Sequence, residues 1–113
     1  MARVLRRGDV IWADLGSGHG HEQHGSRPVL VLSREIFNRR SGTVIAAAIT
    51  SQPQRVGYPL SLKIATGRMP KPSWVKMGQV RTLSTGRLAK RITCLEPEEV
   101  DEVVQGLNEI IGE

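Results

Sequence analysis

The sequence is poor in several things. It has one cysteine, four aromatic residues and no long apolar run. Cys94 alone permits no internal disulfide and no cysteine-based zinc cluster, and reads as a small buried residue on a strand. Trp12, Phe37, Tyr58 and Trp74 are the whole aromatic set. They do not make the two or three stacking aromatics on adjacent strand positions that an RNP-type RNA-binding sheet needs, so both tryptophans read as core. The longest apolar run, Val44–Ile49, is far too short to cross a bilayer. The N-terminus, Met1 to Asp9, is basic but lacks the apolar stretch of a secretory signal. These absences predict a protein of a reducing cytoplasm, with no membrane partner.

Charge of one sign is missing from each part of the chain. Residues 96–113 hold no lysine or arginine but seven acids: Glu96, Glu98, Glu99, Asp101, Glu102, Glu109 and Glu113. Residues 1–95 hold all sixteen basic residues against four acids, Asp9, Asp14, Glu22 and Glu35. The net +5 is thus a +12 body with a −7 tail. A basic body points to a polyanion partner, with nucleic acid the first candidate. The 113 residues suffice for one domain, 1–113, and 39% hydrophobic residues with 24% charged excludes a disordered chain.

Short apolar runs alternate with turn signals. Strands are predicted over Asp9–Leu15, Arg27–Ser33, Thr43–Thr50, Trp74–Leu83 and Leu88–Leu95. Thr43–Thr50 has an apolar middle and reads as buried on both faces. Leu60, Leu62 and Ile64 alternate with polar neighbours, as on a half-buried strand. Glu35–Arg40 reads as one helical turn or a loop, and Thr66–Ser73 as a loop. Val100, Val103, Val104, Leu107, Ile110 and Ile111 recur at helical spacing. Pro97 suits the first turn of that helix and Gly112 its stop. The predicted fold is mainly β with a C-terminal α-helix: a small, strongly bent sheet or barrel.

The segment Gly16–Gly25, with four glycines and all three histidines, holds the densest polar chemistry. His19, His21 and His24 invite a metal reading, but no second Cys/His/Asp cluster completes a site. No metal or other cofactor is expected. Asp9 and Asp14 lack a third carboxylate for a two-metal nuclease centre. Arg7-Gly8-Asp9 spells an adhesion tripeptide by chance. A metal-free RNA-cleaving protein needs a base for the 2′-hydroxyl, an acid for the leaving 5′-oxygen and positive charge on the phosphorane. Glu22 or His21 and Arg27 are candidates for these roles.

Several separate motifs, in order, resemble the MazF/PemK (Kid, ChpB) family of toxin endoribonucleases of type II toxin–antitoxin systems. The opening RRGDVIWADL is similar to the family's first strand. The stretch GHEQHGSRPVLVLS, residues 20–33, matches a GxEQxGxRPxxV-type pattern. Phe37-Asn38-Arg39 resembles the segment that follows. AITSQ, residues 48–52, resembles a P-x-T-S/T-Q run with Ala48 in place of proline. QVRTL, residues 79–83, and GRLAKRI, residues 86–92, match the late strands. The resemblance implies an SH3-like small barrel (CcdB/PemK-like) acting as a homodimer. It implies sequence-specific, metal-independent cleavage of single-stranded RNA to a 2′,3′-cyclic or 3′-phosphate and a 5′-hydroxyl. It also implies a cognate MazE/PemI-like antitoxin with an acidic segment. Arg27 falls on the family's catalytic arginine, Thr50 on its active-site threonine and Glu22 on its functionally sensitive glutamate. His21 matches a histidine that the PemK branch uses at the phosphate. Gln23, Ser51, Gln52, Lys76, Gln79, Arg81 and Arg87 are the expected RNA-binding residues, with Lys90 and Arg91 as further cations along the path. One departure stands out. The PemK branch has Arg-x-Asp where this chain has Lys76-Met77-Gly78. Gly78 cannot be a base, so the proton chemistry is expected on the Glu22, Arg27 and Thr50 side. A non-catalytic gyrase poison of the CcdB kind, or a plain basic RNA-binding barrel, is the alternative.

Overall fold

A computed structural model describes residues 3–65 and 67–112. Six strands run in chain order: β1 Asp9–Asp14, β2 Ser26–Val31, β3 Thr43–Thr50, β4 Ser61–Lys63, β5 Trp74–Ser84 and β6 Leu88–Cys94. Helix α1 spans Glu35–Ser41 and helix α2 spans Pro97–Ile111. The strands form one antiparallel sheet in the order β4-β5-β3-β2-β1-β6. Among the described residues β4 and β6 are not paired to each other, so the expected barrel is an open one. Register shifts bend the sheet, between Val10 and Ala13 where β1 meets β6 and between Ala47 and Ile49 where β3 meets β5.

Both faces of the sheet are buried, which the apolar β3 requires. On one face Val10, Leu30, Ala47, Ile49, Val75 and Met77 pack with Val100 and Val103 of α2. On the other, Ile11, Ala13, Val29, Val31, Val44, Ala46, Ala48 and Leu83 form a second cluster closed by Leu5 and Leu15. Helix α2 starts in a capping box, Glu96 and Glu99 each bonding the other's backbone, with Pro97 next in line. Glu98 and Glu99 face the positive end of its dipole. Three tail acids have partners within the chain: Glu96 pairs with Arg68, Asp101 with Arg7 at 2.9 Å, and Glu99 accepts Ala65 N–H at 3.2 Å.

Five expectations are resolved or corrected by the structure. Glu35–Ser41 is a true helix, because Asn38 is buried and donates to the Leu5 and Ser33 carbonyls at 2.8 and 3.1 Å. In β4 the expected alternation is inverted at its start: Ser61 is buried and Leu60 exposed. The Ser61 hydroxyl donates to Val56 O at 2.6 Å and its N–H to Gly57 O, so a turn fixes which residue points inward. Cys94 is exposed, because it ends β6 at the sheet's edge. Trp12 is 40% exposed and Trp74 only half-buried, so neither is a closed core residue. The apolar stripe of α2 is buried only in its first half; Ile110 and Ile111 are exposed. Of the Thr66–Ser73 loop, Thr66 lies outside the described residues, as does Glu113 of the acidic tail.

Candidate active site

The glycine-rich segment is a loop pinned at its base. Leu15 N–H donates to Gly25 O at 2.9 Å and Gly25 N–H to Gly16 O at 2.8 Å. Gly16, Gly20 and Gly25 have φ of +72°, +57° and +74°, a left-handed backbone that glycine adopts without a Cβ clash. The Asp14 carboxylate accepts Gly16 N–H, and Arg87 donates to the Asp14 carbonyl at 3.2 Å. Arg87 therefore braces the loop's entry rather than standing free. Inside the loop the Glu22 carboxylate accepts His19 N–H at 2.8 Å. Further on, Gln23 N–H donates to the Gln79 side-chain oxygen at 3.3 Å, so two expected RNA-binding residues meet each other and tie the loop to β5.

Arg27 lies just past the loop, at the start of β2. Its Nε donates to the His24 carbonyl at 3.1 Å, and it makes no ion pair with any described carboxylate. Both terminal nitrogens of the guanidinium are left for another partner. In the β2–β3 ladder Val29 pairs with Ala48 and Leu30 with Ala47. The same register, carried to the strand ends, sets Arg27 level with Thr50. Thr50 is buried, and its hydroxyl oxygen accepts Gln52 N–H at 3.1 Å, closing the turn that leaves β3. Across β3, Thr50 pairs with Trp74, and Trp74 with Lys63, whose ammonium sits 5.6 Å from the indole centroid.

A cavity of about 240 Å³ opens beside these residues. Its apolar lining is Trp12, Pro28, Ile49, Met69, Pro70 and Ile92, and its polar lining is Ser26, Arg27, Ser51, Lys71 and Ser73. No carboxylate is among them. The structure thus groups Arg27 and Ser51 around one cavity, with Thr50 between Ile49 and Ser51 in sequence. It does not bring His21, Glu22 or Gln52 to the cavity, and Lys76, Gln79, Arg81 and Arg87 are also outside it. Lys76 lies across from Ser61 on β4, and Arg81 is exposed across from Ala46. Arg91 is spent on the buried Asp9 carboxylate at 2.9 Å, where it holds β6 to β1. Among the described residues no three His, Cys, Asp or Glu side chains are grouped as metal ligands would be.

Trp12 and Lys71 belong to the cavity and were not among the expected site residues. The available signal for Lys71 was its place in Pro70-Lys71-Pro72, a cation on a stiffened backbone. The Ser73 hydroxyl stiffens it further by donating to Lys71 O at 2.9 Å.

The family described as PemK-like, MazF-like toxin of type II toxin–antitoxin system matches residues 6–111. Endoribonuclease EndoA of Bacillus subtilis is 42% identical over 106 residues, which is 92% of this chain and 91% of that protein. The crystal structure of MazF (Form-I) from Deinococcus radiodurans covers 99% of this chain and 100% of its own, with a TM-score of 0.87 and 27% identity. The MazE–MazF complex (Form-II) from the same organism has a TM-score of 0.81 at 28% identity, with 98% of each chain covered. A family match from strand β1 to the end of α2, and close relatives over nearly the whole length, make the chain a member of the PemK-like, MazF-like toxin family of type II toxin–antitoxin systems.

Proposed function

We propose that this toxin is a metal-independent endoribonuclease that cuts single-stranded RNA at a short sequence and so stops translation and growth. The observation that carries this reading is the placement of Arg27. It is a cation with no described carboxylate partner, level with the buried Thr50, in the lining of a cavity without acids. The reaction is attack of the neighbouring 2′-hydroxyl on phosphorus. A base takes the 2′-proton, the P–O5′ bond breaks, and the 5′-oxygen takes a proton, leaving a 2′,3′-cyclic phosphate and a 5′-hydroxyl. The Arg27 terminal nitrogens bear the charge that grows on the non-bridging oxygens. Thr50 orients the phosphate by hydrogen bond. The base is Glu22 or His21. Glu22 accepts His19 N–H through Oε1, which leaves Oε2 to take a proton, and His21 is exposed. Gln23, Ser51, Gln52, Lys76, Gln79, Arg81 and Arg87 contact the RNA chain.

The residues 1–113 form one toxin domain, working in the cytoplasm as a homodimer. The partner that silences it is an antitoxin with an acidic segment. Support for that partner comes from the MazE–MazF complex of a relative with 28% identity. The test is incubation of purified protein with a long single-stranded RNA in EDTA, followed by mapping of 5′ ends. Cuts at one short recurring sequence, bearing 5′-hydroxyls, are expected. Intact RNA bound with a steep salt dependence makes the chain a plain binder. DNA damage in expressing cells without RNA cleavage makes it a gyrase poison.

A further inference from the structure

We infer that the 240 Å³ cavity is a nucleobase subsite, in which Trp12 stacks a base next to the phosphate held by Arg27 and Lys71 holds the neighbouring phosphate. The inference rests on the proposed RNA cleavage and adds how the substrate is gripped.

Its first support is size. Pockets for drug-sized ligands run to ~300–1,000 Å³, so this cavity admits a single nucleotide unit and not a folded segment. Its second is the wall. Trp12 pairs with Pro28 across β1 and β2, and with 40% of its surface exposed it gives the cavity an indole face that the sheet does not consume. Stacking on such a face accepts any base. The Ser51 and Ser73 hydroxyls line the same space and can read a base edge by donating or accepting. Third is charge. Arg27 and Lys71 are the charged residues of the lining, and neither has a carboxylate partner among the described residues. An apolar cavity whose lining includes two cations without a described carboxylate partner is complementary to a base flanked by phosphates.

The protein's two tryptophans allow a direct test. In Trp74→Phe, emission comes from Trp12 alone. It is titrated with eight-residue deoxyoligonucleotides of T, A or C, with an abasic phosphodiester chain of equal charge, and with octaglutamate. Quenching by the base-bearing chains, with little from the abasic chain, is the expected result. Trp12→Ala and Trp12→Phe should then bind those chains about 5- to 150-fold and a few-fold more weakly, respectively. Lys71→Glu, on an exposed loop, should weaken all base-bearing and abasic chains alike and retain the native thermal transition. Equal quenching by abasic and base-bearing chains, or quenching by octaglutamate alone, overturns the proposal. So does RNA cleavage at unchanged rate and sequence by Trp12→Phe and Lys71→Glu, a result that leaves the endoribonuclease reading intact. If the unaltered protein leaves RNA uncut, the endoribonuclease reading fails first, and base-dependent quenching still decides the subsite.

Discussion

Replacing Arg27 separates its structural contact from the phosphate role proposed for it. Its Nε holds the His24 carbonyl at 3.1 Å, and its terminal nitrogens are free for a phosphate. Arg27→Ala removes both. Losing a preorganised donor to developing charge costs ~10²–10³ in rate, or about 2.7–4 kcal/mol. The structural loss is smaller. Arg27 has no ion pair, is only half-buried, and gives up one hydrogen bond worth about 1 kcal/mol. For a domain of this size that lowers Tm by about 4 °C. Arg27→Lys keeps a charge but has no Nε and no fork, so it should fall between, roughly tenfold above alanine. The assay is single-turnover cleavage of a defined RNA in EDTA, beside a thermal melt. A variant that cuts within about tenfold of the unaltered protein while folded refutes the role of Arg27 in the transition state. A collapse of the melt together with the rate would instead make Arg27 a structural residue.

Three further outcomes are expected. Thr50→Val keeps the shape but strands Gln52 N–H; because Gln52 is exposed, water can serve that donor, so stability should fall by only about 1 kcal/mol while cleavage falls much further, as read from the same melt and assay. Gly106→Ala should destabilise α2 packing. The new Cβ would meet Met77 Cε at 2.9 Å and Pro59 O at 3.1 Å, an overpacking cost of about 1–3 kcal/mol against about 1 kcal/mol gained in helix propensity, so a net loss of up to about 2 kcal/mol should appear in urea melts. Tyr58, the single tyrosine, should ionise above its ordinary value of 10, because desolvation against its surroundings and then the nearby Glu109 and Glu102 carboxylates disfavour the phenolate. A raised folded value means this contribution is whole below pH 10 and is lost as pH rises beyond it; absorbance titration should show the midpoint falling in Glu109→Gln.

Most of the strands were legible because their apolar residues recur at the period the backbone imposes. β3 is the clearest case: a continuous apolar middle demanded burial on both faces, and both faces are covered. α1 was legible only as one helical turn or a loop, since seven residues give barely two turns and Ile36 and Phe37 stay exposed. What fixes it is Asn38 reaching back to Leu5, a contact 33 positions away that no local pattern encodes. Ser61 shows the same limit, its inward direction being set by a turn bond and not by polarity. At the site, Arg27 and Thr50 could be named from motif resemblance, and the β2–β3 register puts them at one level. The cavity wall could not be named. Trp12 reads as core from its size and apolarity, yet it shares a strand face with exposed Asp14 and lines the cavity with Met69 and Lys71.

The segment that supplies Met69, Pro70 and Lys71 to the cavity is moored at its near end. Arg68 reaches the Glu96 carboxylate and the Cys94 carbonyl, and Ala65 N–H reaches Glu99. Those two glutamates are also the ones that start α2. One wall of the cavity and the first turn of the last helix therefore form a single mechanical part. A strain applied to that turn, by substitution or by a bound partner, passes through either of these two contacts to the cavity wall without touching Arg27. Substitution at Glu96 or Glu99 should accordingly shift the segment that carries Met69 to Lys71 as well as loosen the helix.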